Sequence, residues 1–140
     1  MYHYRKTFKK YRARKTLSSG VCPFCAVSTK ERIIRETKYS CIVANLTSYD
    51  LWENLDVTEH LLLIPKKHVR SLTELSSVES LDIMKLISEY QSNNYNVYAR
   101  AVDGIMGSVE HQHTHLIRTK NIRRAKLVLF IRKPYWLFKR

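Results

Sequence analysis

Glycine and proline are scarce in this chain, at three residues each among 140. That scarcity excludes collagen-like and low-complexity architectures, which need one or both in quantity. No apolar run approaches the ~18 residues of a membrane span, so no transmembrane segment is expected. Three cysteines, Cys22, Cys25 and Cys41, cannot all pair, which excludes a disulfide framework. Acidic residues are missing from both ends. Residues 1–19 hold seven Lys and Arg, residues 117–140 hold nine, and neither stretch has an Asp or Glu. The other nine basic residues face all twelve acidic ones, so the body between is slightly acidic although the chain carries +13. Such charge blocks either contact polyanions, nucleic acid or an acidic membrane surface, or remain solvated tails.

What is present fits one domain with a modest core. A basic N-terminal arm, residues 1–19, leads through Leu17–Gly20 into a body spanning residues 20–118. Residues 119–140 form a basic, aromatic C-terminal tail, whose run from Lys126 to Phe138 is expected to dock on the body. The segments Arg32–Thr37 and Tyr39–Asn45 read as strands, and Ser48–Glu59 reads as a loop. Leu61–Ile64 is a buried strand that Pro65 stops. A helix is expected over about Ser77–Gln91, capped by Ser76 or Ser77 with Glu79 in its first turn. Ile83, Leu86, Ile87 and Tyr90 fall at i, i+3, i+4 and i+7 and give it one apolar face, suited to covering a sheet. Asn93–Asp103 alternates like a strand, and Gly104–Ser108 makes a turn into "HQHTHLI". The fold class is therefore α+β, an antiparallel sheet with a covering helix.

His111, His113 and His115 stand at every second residue. On a strand their three imidazoles share one face. A row of titratable rings is a poor hydrophobic surface, so the row points to chemistry. "CPFC" (Cys22, Cys25) reads as a metal knuckle or a redox pair in a chain with no secretory signal. A hydrolytic zinc held by the three histidines themselves would leave "CPFC" and His68 unexplained.

Together, "CPFC", "HLLLIPKKHV" and "GSVEHQHTHLI" resemble the histidine triad (HIT) family of nucleotide hydrolases and transferases, over roughly Val21 to Arg118. The family pattern alternates three histidines with apolar residues. His111, His113, His115, Leu116 and Ile117 match it, whereas Gln112 and Thr114 place polar groups on the back of the strand. The resemblance implies that His113 is a nucleophile that takes up a nucleotidyl group from an α-phosphate, a role suited to imidazole near neutral pH. It makes His115 a hydrogen-bond donor to phosphate oxygens and Ser108 a contact for the leaving group. His60 would line the phosphate site, with Asn45 at the start of the ribose-contacting region. It further implies a structural zinc ion at Cys22, Cys25, His68 and His111. Where many members carry an Asn on the penultimate strand, this chain reads "YARAVD", with Arg100 nearby.

Two readings of function follow. One is an enzyme acting on a nucleotide, purine-bearing by expectation: a phosphoramidase or a dinucleoside polyphosphate hydrolase, working as a homodimer in the cytoplasm. The other is a HIT-like module that binds nucleotides or nucleic acid without turnover. In the latter the basic ends hold phosphates while Tyr2, Tyr4, Tyr11, Tyr135 and Trp136 stack on bases.

Overall fold

The computed structural model describes residues 7, 9, 22–25, 32–104, 109–120, 128–129 and 137–138. Ser108 and most of the basic arm and tail lie outside the described residues. Strands β1 (Ile33–Glu36), β2 (Ser40–Ala44), β3 (Leu51–Trp52), β4 (Leu55–Pro65), β5 (Asn96–Ala99) and β6 (Thr114–Thr119) make one sheet. Its order is β1-β2-β4-β6-β5, with β3 paired to β4 alone. Every pairing is antiparallel. Within the tail, β7 (Val128–Leu129) pairs with β8 (Leu137–Phe138) as a separate antiparallel ladder.

Alternation along β4 divides the molecule into two layers. Leu61 and Leu63 join Ile42 and Leu116 under helix α1 (Ser77–Ser92), against Ile83, Leu86 and Tyr95. Leu62 and Ile64 turn the other way, onto Val43, with Phe24, Ile33 and Cys41 around them. Ile42, Val43, Leu116 and Ile117 are wholly removed from solvent. Burying a side chain of this size contributes about 1.5–3 kcal/mol relative to exposure, which makes β2 and β6, on either side of β4, the anchor of the fold. Helix α1 starts where the sequence places it: the Glu79 carboxylate accepts the Ser76 backbone N–H at 2.8 Å. Its apolar stripe faces the sheet.

Three expectations change. Ser48–Glu59 is not a loop: β3 and the first half of β4 form a hairpin in which Leu51 pairs with Asp56 and Trp52 with Leu55. Glu53 and Asn54 take φ of 50° and 63° at its tip, the left-handed pair that a two-residue hairpin turn requires. The segment Asn93–Asp103 contributes only Asn96–Ala99 to the sheet. The histidine strand also begins late. Only His115 lies within β6, because the Gln112 N–H bonds the Val69 carbonyl at 2.7 Å and draws residues 111–113 towards the loop after β4.

Candidate active site and metal centre

The site occupies the layer opposite α1. In β4–β6 pairing Leu62 stands opposite His115 and His60 opposite Ile117, so His60 and His115 share that face. Tyr98 of β5 pairs with His115 and joins them. His113, just before β6, brings its ring centroid to 5.1 Å from that of His115.

Hydrogen bonds assign the protons. The backbone N–H of Tyr49 donates to His60 Nδ1 at 3.1 Å, so His60 in its neutral form carries its proton on Nε2. His60 Nε2 lies 2.8 Å from His115 Nδ1 and therefore donates to it. That leaves the proton of neutral His115 on Nε2, a buried donor with no partner among the described residues. His115 is 5% exposed, and burial, with help from the neighbouring His60, His113 and Arg100, pushes its pKa down to about 2. It is a neutral ring.

His113 is arranged the opposite way. Its Nδ1 lies 2.8 Å from the carbonyl oxygen of His111. A carbonyl only accepts, so Nδ1 carries the proton and the Nε2 lone pair is left over. Burial lowers this ring's pKa as well, outweighing the bond to His111, with the Arg100 charge acting in the same direction. One strand end thus presents a lone pair on His113 and an N–H on His115.

Asn45 orients the back of the site. Its Oδ1 accepts the Thr47 N–H at 3.1 Å, turning its amide nitrogen to the His60 ring, where it donates to the unprotonated Nδ1 at 3.2 Å. Sequence reasoning missed the aromatic wall. Tyr49 lies against His60 and His115, with centroids at 4.6 and 5.6 Å, and stacks on Trp52 at 6.3 Å. Tyr98 closes the wall beside His115 at 5.7 Å. Arg100 Nη2 donates to Tyr49 Oη at 2.8 Å.

A second cluster lies at the other end of the histidine row. Cys22 and Cys25 are joined by a tight turn in which the Cys25 N–H bonds the Cys22 carbonyl at 3.2 Å. Ligand atoms of Cys22, Cys25, His68 and His111 all lie within 4.8 Å of one another. Sulfur-to-Nδ1 distances are 3.4 Å for Cys22–His111, 3.1 Å for Cys25–His68 and 3.5 Å for Cys25–His111. Tetrahedral zinc with ordinary Zn–S and Zn–N bonds would place such atoms roughly 3.6 Å apart. His111 is 1% exposed, and its Nε2 donates to the Pro65 carbonyl at 2.9 Å, which directs the Nδ1 lone pair at the thiols. A backbone partner of this kind is the usual second support of a metal-bound imidazole. The donor set and its spacing fit zinc. Phe24, between the cysteines, sets its ring edge-on to both His111 and His113, at 5.8 and 5.1 Å.

Of the residues singled out from sequence, His60, His113, His115 and Asn45 meet at one end of this row, and Cys22, Cys25, His68 and His111 at the other. Comparison with solved structures identifies the fold that carries them. The fold is that of the histidine triad proteins. A HIT family hydrolase from Legionella pneumophila Philadelphia 1 superposes with a TM-score of 0.51 at 20% identity, over 74% of this chain and 95% of that one. Another from Clostridium thermocellum gives 0.55 at 16% identity, over 76% and 97%. A Zn-bound histidine triad family protein from Mycobacterium smegmatis gives 0.53 at 20% identity, over 74% and 78%. No family model matches the sequence, and neither does any curated protein. In this fold β4 and β6 run side by side, which brings His60 beside His115.

Proposed function

We propose that this protein is a nucleotide hydrolase or nucleotidyl transferase acting at an α-phosphate through a covalent nucleotidyl-histidine on His113. One observation carries the reading: the His113 ring, with its Nε2 lone pair, stands 5.1 Å from the ring of His115, whose N–H has no partner among the described residues. Nε2 attacks the α-phosphorus and forms a P–N bond as the bond to the leaving group breaks, with its electron pair departing on that group. Meanwhile His115 Nε2–H donates to a non-bridging phosphate oxygen, whose charge grows in the transition state. Water or another acceptor then attacks phosphorus. The P–N bond breaks, its pair returns to His113 Nε2, and the acceptor's proton is released. The HIT family hydrolases with this fold support an enzyme rather than a passive binding module.

The remaining parts have supporting roles in the same reading. His60 fixes the tautomer of His115, Asn45 holds His60, and Ser108 serves the leaving group. Cys22, Cys25, His68 and His111 would hold a structural zinc ion, which would tie the knuckle to the segment that bears the nucleophile. Thiolate ligands of this kind persist in a reducing compartment, which agrees with a cytoplasmic protein. Among the described residues no helix is long and apolar enough to cross a membrane. A homodimer would use the exposed Val78, Leu81 and Met84 on α1, and the mass of the protein in solution decides that point.

Incubation with a panel of labelled adenylated and guanylated substrates tests the activity. A covalent, acid-labile nucleotidyl adduct is expected, because imidazole bound to phosphorus leaves readily once protonated. Tight nucleotide binding with neither adduct nor turnover would favour the binding module instead.

A further inference from the structure

We infer that Arg100 selects the leaving group, favouring an anionic one, a phosphate or polyphosphate, over a neutral amine. The inference rests on the reading of His113 as the nucleophile and names the substrate class of that same site. Its basis is where the cation is held. In β5–β6 pairing Tyr98 stands opposite His115 and Ala99 opposite Thr114, so Arg100 follows on the Tyr98 side, level with His113. Arg100 and His113 line one cleft. The guanidinium is fixed there from two directions. It donates to Tyr49 Oη at 2.8 Å and lies over the Tyr98 ring at 5.5 Å. Both of those rings stand against His115, at 5.6 and 5.7 Å.

A second arginine, Arg70, lines the same cleft but sits within reach of two carboxylates, Asp103 at 3.6 Å and Glu110 at 3.8 Å. Its charge is offset locally, and the charge that acts on both His113 and His115 is that of Arg100. An arginine remains charged throughout the working pH range. When a P–O bond breaks, the electron pair ends on an oxygen of the departing phosphate, which gains a negative charge beside the guanidinium. When a P–N bond breaks, the amine takes up a proton from solvent and departs neutral or cationic, and a fixed cation gives it no help. Preorganised charge aimed at a developing anion is the larger part of such catalysis.

Diadenosine triphosphate and adenosine 5′-phosphoramidate, compared by kcat/KM on the full-length zinc-loaded protein, separate the two leaving groups. Arg100→Ala is expected to slow the triphosphate by about 10²–10³-fold, the usual loss of one charge-stabilising group. The phosphoramidate should slow as well but at least about tenfold less, so that the ratio of the two moves. Arg100→Lys, which keeps the charge without the fork, should recover part of that ratio. Tyr49→Phe, which removes the hydroxyl that anchors the guanidinium, should shift it in the same direction and by less. Equal losses on both substrates in Arg100→Ala, with no recovery in Arg100→Lys, would overturn the inference while leaving the nucleophile intact. A wild-type protein that cleaves neither substrate and forms no adduct would sink the underlying reading, and this inference with it.

Discussion

His115 and His113 differ by which ring nitrogen holds the proton, and in the proposed mechanism that difference sets their roles. His115 is kept neutral with its N–H outward by a chain that begins at the Tyr49 backbone. Its replacement by Ala should lower turnover by about 10²–10³-fold, because one donor to the phosphate is lost while the nucleophile remains. A pH effect on stability goes with it. The folded pKa of His115 is pushed down to about 2, below the ordinary value of 6.5, so on acidification the unfolded chain takes up a proton that the folded chain refuses. Its contribution to stability is therefore complete above about pH 6.5 and is lost as pH falls from there towards 2. Denaturant titrations between pH 7 and 5 should show stability falling in the wild type and falling less in His115→Asn. Equal slopes in the two proteins would mean that His115 titrates normally. Both roles depend on neighbours that the sequence conceals. The triad itself is legible as a pattern, but the Tyr49 N–H and the His111 carbonyl that assign the protons are backbone groups and leave no trace in residue type.

Among the elements, α1 was legible because its signals are local: a 3.6-residue apolar period and a cap three residues from Glu79. The Leu51–Asp56 hairpin was not. Its turn is made by Glu53 and Asn54, and a glutamate in left-handed backbone is no usual turn signal. Trp52, and with it one side of the aromatic wall, was hidden for that reason. Arg100 could be flagged by its place in the chain, yet only the β5–β6 register puts it beside His113. The knuckle lies between these cases. Cys22 and Cys25 announce a ligand pair by spacing, whereas Cys22 and His111 are 89 residues apart and were joined only by family resemblance. The knuckle also reaches the proposed nucleophile, since the residue that turns Nδ1 to the cysteine pair offers its carbonyl to His113. Cys22→Ser is expected to reduce zinc from about one per chain, to lower the melting temperature, and to slow turnover through the loosened His113. Full zinc content in that variant, read by atomic absorption, would remove Cys22 from the ligand set.

At the scale of the whole molecule, the basic ends are expected to bind polyanions and to leave the chemistry to the acidic body. Thr7, one of the two described residues of the arm, donates its hydroxyl to Asp50 at 3.1 Å, next to Tyr49. Deleting residues 1–19 should weaken RNA or DNA binding and flatten its salt dependence, because each lost phosphate contact removes released counterions. Turnover of a small nucleotide should persist. A folded truncation that loses it would make the arm part of the site.

The central claim, that His113 Nε2 bonds to phosphorus, has a direct measurement. The wild-type protein is quenched during turnover of a labelled adenylated substrate and the adduct is located by peptide mass spectrometry. The expected result is one adenylyl group on His113, absent from His113→Ala while zinc content and fold are retained. An adduct on another residue, or one that persists in His113→Ala, would contradict it.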